Sequence, residues 1–91
     1  MYERDVEKYL VKKVKEHGGV AEKYKSPGKP NVPDRLVLWP SSFAEFVELK
    51  RPGQKATPAQ ARDHRRRRAM GFVVSVLDSI ESVDDWLSGD W

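Results

Sequence analysis

Residues 33–50 read PDRLVLWPSSFAEFVELK, and this stretch decides the fold. It contains two runs rich in strand-forming residues, 35–39 and 43–50, with proline and two serines between them at 40–42. Proline and serine are typical turn residues, so the pattern predicts two antiparallel strands with a tight connection. The stretch therefore predicts a β-hairpin.

The second strand of this hairpin carries an acid and a base on one face. Side chains alternate along a strand, so Glu48 and Lys50 share one face while Val47 and Leu49 point to the other. Both charged side chains then project together near the end of the strand. Alone, Glu-x-Lys is a common pattern and indicates no more than an exposed strand with an ion pair.

Asp34 changes that interpretation. It follows Pro33 at the start of the first strand, and antiparallel pairing brings this position beside the end of the second strand. Asp34 and Glu48 should therefore be neighbours. Two carboxylates held close repel each other unless a cation lies between them, which suggests a divalent metal. A turn-capping aspartate is the ordinary alternative for Asp34.

The composition restricts which metal the protein could bind and which cellular compartment is expected for it. Without cysteine there is no disulfide scaffold, thiolate zinc site or cysteine nucleophile, and two histidines are too few for a convincing zinc site. Oxygen ligands favour Mg²⁺ or Mn²⁺. No apolar run approaches the roughly 18 residues that span a bilayer. We expect a soluble cytoplasmic protein, of a bacterium or of a host cell if phage-encoded, with no membrane partner.

The N-terminal segment offers a third acid. Residues 2–16 predict an amphipathic helix, because Val6, Leu10 and Val14 recur on one face. Glu7 borders that face, and Glu3 lies one turn earlier. A carboxylate on the buried side of a helix needs a partner, which could be a metal or Lys50, although Glu7 could also reach water.

The remaining segments predict a single mixed α/β domain over residues 1–91. The other expected elements are a strand at 20–25, a proline-rich loop at 26–34, a helix from Thr57 to about Met70, a buried parallel strand at 72–77 and a short helix at 82–88 capped by Ser82. The expected order is α-β-β-β-α-β with a short C-terminal helix, and the sheet is mixed.

Basic residues concentrate on the predicted second helix. The chain has 17 basic and 14 acidic residues, and residues 62–68 read RDHRRRR. Gln60, His64 and Arg67 or Arg68 align along this helix, and the line could face a phosphate-filled cleft. The alternative is a solvated helix face. Three tryptophans, Trp39, Trp86 and Trp91, are residues of the kind enriched at interface cores.

These segments together resemble the virus-type replication-repair nuclease (VRR-NUC) family of PD-(D/E)xK nucleases. The matching motifs, in chain order, are ERDVEKYL closed by Gly18 and Gly19, a strand containing Lys25, VPDRLVL, FVELKRPG, TPAQ and a basic helix that ends at Gly71 before an apolar strand. The match covers about residues 3 to 78. One departure is Arg67, which falls where the family usually carries a larger apolar residue.

The resemblance implies a restriction-endonuclease-like core that hydrolyses DNA phosphodiester bonds with Mg²⁺ or Mn²⁺. Carried over to this chain, the metal ligands would be Glu7, Asp34, Glu48 and the Leu49 carbonyl. Lys50 would orient or activate the attacking water, and Gln60 would support the site. The stand-alone members imply a homodimer that acts on branched DNA such as Holliday junctions.

The expected contacts to the DNA backbone come from the loop and the basic helix. They are Lys25, Lys29, Arg35, Arg65, Arg66 and Arg68. Three alternatives remain at this point: a non-catalytic DNA-binding module of the same fold, a nuclease for flaps or splayed arms, and a sequence-specific endonuclease of restriction type.

Overall fold

The computed structural model describes residues 1–89, so Trp91 lies outside the described residues. The elements are α1 (Glu3–Glu16), β1 (Val20–Lys23), β2 (Arg35–Leu38), β3 (Ala44–Leu49), α2 (Pro58–Ala69), β4 (Val74–Leu77) and α3 (Ile80–Ser88). The predicted order is confirmed. Most boundaries differ by one or two residues, and β1 ends before Lys25, which lies in the following loop.

The four strands form one mixed sheet in the order β1-β2-β3-β4. β1 pairs with β2 and β2 with β3 in antiparallel fashion, whereas β4 runs parallel to β3 after the crossover through α2. In the predicted hairpin, Arg35 is opposite Val47. This register places the start of β2 beside the end of β3, as the sequence predicted.

Helices cover both faces of the sheet. Val6, Leu10 and Val14 of α1 are fully buried in one core with Val47 and Leu49 of β3. α3 joins this core, whereas α2 packs on the opposite face, to which Phe46 and Glu48 point. No helix within residues 1–89 is long and apolar enough to cross a lipid bilayer.

The connection from α1 to β1 requires glycine at position 19. A Cβ atom there would lie 2.7 Å from a ring carbon of Trp39 and 2.9 Å from the carbonyl oxygen of Leu38. Any larger residue would push α1 away from the sheet. The Gly18-Gly19 pair thus sets the close approach between the first helix and the hairpin.

α2 packs through polar side chains. Its two buried residues are His64 and Arg67. The Arg67 guanidinium carbon lies 4.8 Å from the ring centre of Phe46 and 5.3 Å from that of Tyr24, and its Nε donates to Asp63 at 2.7 Å. Arg67 therefore occupies the place of the apolar residue that is usual in the family, with its stem packed and its charge paired.

Replacing Arg67 by alanine should destabilise the fold by about 2 kcal/mol, because the aromatic contacts and the ion pair with Asp63 are lost together. Arg67→Met keeps an apolar stem over Phe46 and should cost less than half as much. Urea unfolding monitored by circular dichroism measures both values. Equal losses for the two variants would contradict a packing role for the arginine stem.

The N-cap of α3 lies three residues before the predicted cap. Ser79, not Ser82, is the N-cap: its hydroxyl oxygen accepts from the Ser82 N–H at 3.0 Å, and the Ser82 hydroxyl oxygen accepts from the Ser79 N–H at 3.0 Å. The prediction was wrong because two serines three residues apart form a reciprocal capping box, in which either one alone resembles the cap.

A buried glutamate connects α3 to the sheet. Glu45 is 6% exposed, and its two carboxylate oxygens accept from the indole N–H groups of Trp39 at 2.8 Å and Trp86 at 2.9 Å. The two indole rings are 6.0 Å apart. Two of the tryptophans considered for an interface, Trp39 and Trp86, therefore form hydrogen bonds within the chain.

Candidate active site

The start of β2 and the end of β3 bring the predicted acidic residues together. Asp34 Oδ2 accepts from the backbone N–H of Leu49 at 2.7 Å, so the aspartate is anchored across the hairpin. Glu48, the residue before Leu49, lies beside Asp34, and their carboxyl groups are within hydrogen-bonding reach. The contact between these two carboxyl groups was predicted from the register of the hairpin alone.

Glu48 lies on the inner side of this site and is only 2% exposed. Burial, the hydrogen bond with Asp34 and the negative charge of Asp34 together raise its pKa from 4.5 to about 8, against the opposing effect of Lys50. On its other side, Glu48 Oε1 lies 3.3 Å from Nε2 of His64, which is itself 1% exposed.

Lys50 faces two acids. Its positive charge lowers the pKa of both Glu48 and Glu3, which shows that the ammonium lies near each carboxyl group. The side chain is half-buried at the end of β3.

The helix acid that faces this cluster is Glu3. Burial raises its pKa first of all, and the charges of Asp34 and Glu7 raise it further. Glu7 instead binds Arg35, whose Nε and terminal nitrogen both lie 2.9 Å from Glu7 Oε2. Glu7 is thus held by an arginine from β2, and its predicted role as a metal ligand stays a prediction.

The same pair engages Arg35, whose predicted contact with DNA stays a prediction. Besides Glu7, the Arg35 guanidinium donates to the carbonyl oxygen of Ala21 at 2.9 Å, and its side chain is 12% exposed. Arg35 therefore fastens α1 to β1 and β2. Glu3 and Glu7 both line a cleft of about 290 Å³ that reaches Asp34 and Lys25.

Gln60 lies in the first turn of α2 and caps that helix. Its side-chain oxygen accepts from the Thr57 N–H at 2.9 Å, and the Thr57 hydroxyl oxygen accepts from the Gln60 N–H at 3.2 Å. The predicted N-cap at Thr57 is confirmed. Any support that Gln60 gives to the site comes through the position of α2.

The predicted phosphate-facing line of α2 is wrong for His64 and Arg67. Both point inward to the sheet, and α2 presents Arg62, Arg65, Arg66 and Arg68 to solvent instead. The sequence pattern placed His64 on a face of α2 open to phosphate, whereas the side chain is buried against the sheet. Its spacing of three from Arg67 could have indicated a shared buried face.

The residues expected to contact DNA differ in whether they already have a hydrogen-bond or ion-pair partner in the chain. Within residues 1–89, Arg65 has no ion-pair or hydrogen-bond partner, whereas Arg66 binds Asp63 at 3.0 Å and Arg68 donates to the Val74 carbonyl at 2.6 Å. Lys25 and Lys29 line a second cavity of about 470 Å³ in the proline-rich loop.

Comparison with known proteins decides the family. No protein-family profile matches the sequence. The chain is 52% identical over 77 residues to "Putative nuclease p44" of Acyrthosiphon pisum secondary endosymbiont phage 1, across 85% of this chain and 83% of that protein. A solved structure titled "VRR_NUC domain" matches 98% of this chain and 97% of its own, with a TM-score of 0.91 and 33% identity. The chain belongs to the VRR-NUC family.

A VRR-NUC fold generally uses a divalent metal, and the residues of this site fit one. Within residues 1–89, no three His, Asp or Glu side chains are already arranged as a metal cage. Mg²⁺ does not need such a cage, because it keeps several waters and usually takes one or two carboxylates plus substrate phosphates. Asp34 and Glu48 supply two carboxylates whose mutual repulsion a cation would relieve.

The raised pKa of Glu48 predicts how the metal-free VRR-NUC protein responds to pH. The folded protein holds a proton on Glu48 up to about pH 8, whereas the unfolded chain releases it near pH 4.5. Its stability should therefore fall as pH rises from about 5 to 8, by on the order of 3 kcal/mol. Thermal unfolding in EDTA measures this slope.

The matched control for this slope is Glu48→Gln. Glutamine has nearly the same shape as the protonated acid and does not titrate, so the variant should lose most of the decline between pH 5 and 8. If parent and variant fall in parallel over this range, another group is responsible for the slope.

Proposed function

We propose that this protein is a metal-dependent endodeoxyribonuclease that hydrolyses phosphodiester bonds and selects branched DNA, such as Holliday junctions. The observation that carries the proposal is the cluster of Asp34, Glu48 and Lys50 at one end of the hairpin. Two neighbouring carboxyl groups, with a lysine at the end of the same strand, are the groups that metal-assisted phosphodiester hydrolysis requires. Membership of a nuclease family supports the same reaction.

The metal ligands in this proposal are Asp34, Glu48, Glu3 and the Leu49 carbonyl. Bound Mg²⁺ or Mn²⁺ would lower the pKa of a water molecule and stabilise the charge of the scissile phosphate. Asp34 holds its position through the Leu49 N–H. Glu7 contributes indirectly, since its ion pair with Arg35 fixes the helix that carries Glu3.

Lys50 is the cation that acts on the reacting groups. From the end of β3 its ammonium can orient the attacking water and offset the negative charge that grows on the phosphate in the transition state. Its positive charge also lowers the pKa of Glu3 and of Glu48, so it favours their ionised, metal-binding forms. Gln60 supports the arrangement by ordering the first turn of α2.

The DNA backbone is held by the outer face of α2 and the proline-rich loop. Arg65 and Arg66 are exposed on α2, with Arg68 beside them, and Lys25 and Lys29 lie on the loop side of the cleft. Such side chains position the DNA without reading its sequence. A homodimer would place two of these surfaces on one branched substrate.

Arg65→Ala should weaken DNA binding about fivefold at moderate salt and lower the salt dependence by about one counterion, since one phosphate contact is lost. Fluorescence anisotropy at several salt concentrations measures both. Lys15→Ala is the control, because Lys15 is equally exposed but lies on α1, on the opposite side of the sheet. Equal losses in the two variants would contradict the assignment.

The proposed function is tested by incubating the protein with a four-way junction, a flap, a splayed arm and a linear duplex of the same sequence. Cleavage should require Mg²⁺ or Mn²⁺, stop in EDTA and be fastest on a branched substrate. The mass in solution, measured in parallel, tests the homodimer. DNA binding without cleavage in either metal would identify a non-catalytic binding module, and preference for the flap or splayed arm would exclude junction selectivity.

A further inference from the structure

We propose that His64 is a positioning residue for Glu48: it holds one oxygen of that carboxylate in place so that the site binds a divalent cation. The inference rests on the proposed function, in which Glu48 is a metal ligand. His64 does not touch the metal or the DNA in this proposal. It acts from α2, an element other than the strand that carries Glu48.

The geometry of the pair supports this role. His64 Nε2 lies 3.3 Å from Glu48 Oε1, and the two residues are 1% and 2% exposed. Water therefore has almost no access to either group. A hydrogen bond between the imidazole and the carboxyl group restricts the rotation of that group, which lies between His64 and Asp34.

The chemistry of α2 supports it as well. Burying a polar pair costs more than burying apolar side chains of similar size, so a helix that only had to pack would use an apolar residue at position 64. His64 contacts the one buried carboxylate of the site. Partners that orient metal-binding side chains typically change metal affinity by 10- to 100-fold when they are removed.

α2 also offers a matched control for this inference. Arg67 is the other buried side chain of the helix, but it contacts Phe46, Tyr24 and Asp63 instead of Glu48. A substitution there disturbs helix packing without touching the proposed metal ligand. If His64 only packs α2 on the sheet, changes at the two positions should have the same kind of effect.

The test is the affinity for Mn²⁺, measured by calorimetry without DNA. His64→Leu, which keeps the bulk and loses the N–H, should weaken binding at least tenfold. His64→Gln, which can place an N–H near the position of the imidazole Nε2, should stay within about threefold of the parent. Arg67→Met should bind Mn²⁺ like the parent while losing stability. His64→Asn, with a shorter reach, should behave like His64→Leu.

The outcomes separate this inference from the proposed function. If His64→Leu binds Mn²⁺ as tightly as the parent, or if Arg67→Met is weakened as much as His64→Leu, His64 is not a positioning residue, although the parent could still cleave DNA. A parent that neither binds Mn²⁺ nor cleaves DNA would overturn both. If His64→Leu does not fold, the contrast between His64→Asn and His64→Gln decides.

Discussion

Lys50→Gln is expected to slow DNA cleavage by about 100- to 1000-fold while leaving DNA binding and the fold nearly unchanged. Lys50 is half-buried at the end of β3, and its charge acts on the carboxyl groups of Glu48 and Glu3. Glutamine can fill the same space but carries no charge to offset the transition state. Single-turnover cleavage at saturating protein and Mg²⁺ measures the step itself, so weaker binding does not contribute.

The control for this prediction is Lys55→Gln. Lys55 is exposed in the loop before α2 and has no ion-pair or hydrogen-bond partner within residues 1–89, so its loss should change the single-turnover rate less than threefold. Because Lys50 lowers the pKa of Glu48, Lys50→Gln should also move the pH-dependent loss of stability to higher pH. A Lys50→Gln protein that cleaves at the parent's rate would remove Lys50 from the mechanism.

Glu45→Ala is expected to cost about 3 kcal/mol of stability, the largest loss expected from any single change outside the active site. The substitution removes two hydrogen bonds from indole N–H groups to a buried carboxylate. Hydrogen bonds to charged groups contribute about 1.5 to 3 kcal/mol each, and part of that is regained by relaxation. For a domain of this size the melting temperature should fall by roughly 15 °C.

Two further variants serve as comparisons for this measurement. Glu45→Gln keeps one oxygen acceptor but turns an amide N–H₂ toward the second indole, so its loss should lie between those of the parent and Glu45→Ala. Glu22→Ala removes an exposed glutamate from β1 and should change stability by less than about 0.5 kcal/mol. If Glu45→Ala unfolds at the same temperature as the parent, the two tryptophan hydrogen bonds do not hold α3 to the sheet.

The hairpin and the contact between its two acids could be predicted because they depend on local rules. Strand alternation assigns Glu48 and Lys50 to one face, and antiparallel pairing then leaves Asp34 beside Glu48 whatever the rest of the chain does. The family resemblance reinforced this part and is confirmed by the solved VRR-NUC structure. These features need no knowledge of which elements pack together.

The choice between Glu3 and Glu7 could not be made from the helix pattern. Both lie on the same side of α1, one turn apart, and either could face the acids of the hairpin. What distinguishes them in the structure is Arg35, which reaches across from β2 and binds Glu7. A contact between residues 28 positions apart is set by how α1 crosses the sheet, and the amphipathic pattern contains no information about that crossing.

The direction of α2 was missed for a related reason. A helix normally shows its inner face as a stripe of large apolar residues, and this helix has none. Its inner face is made of His64 and Arg67, which resemble surface residues until Glu48 and Phe46 are placed opposite them. Only the tertiary structure distinguishes the buried basic side chains from the four exposed arginines.

The pairing of Arg35 with Val47 has a consequence for how this enzyme can vary. A slip of one residue between β2 and β3 would exchange the faces of Glu48 and Leu49, driving a carboxylate into the apolar layer under α1 and a leucine toward His64. Insertions should be tolerated better in the turn at 40–42 than inside either strand. The strand register that keeps the domain folded is thus the same register that brings the site residues together. Selection for the fold therefore also preserves the site.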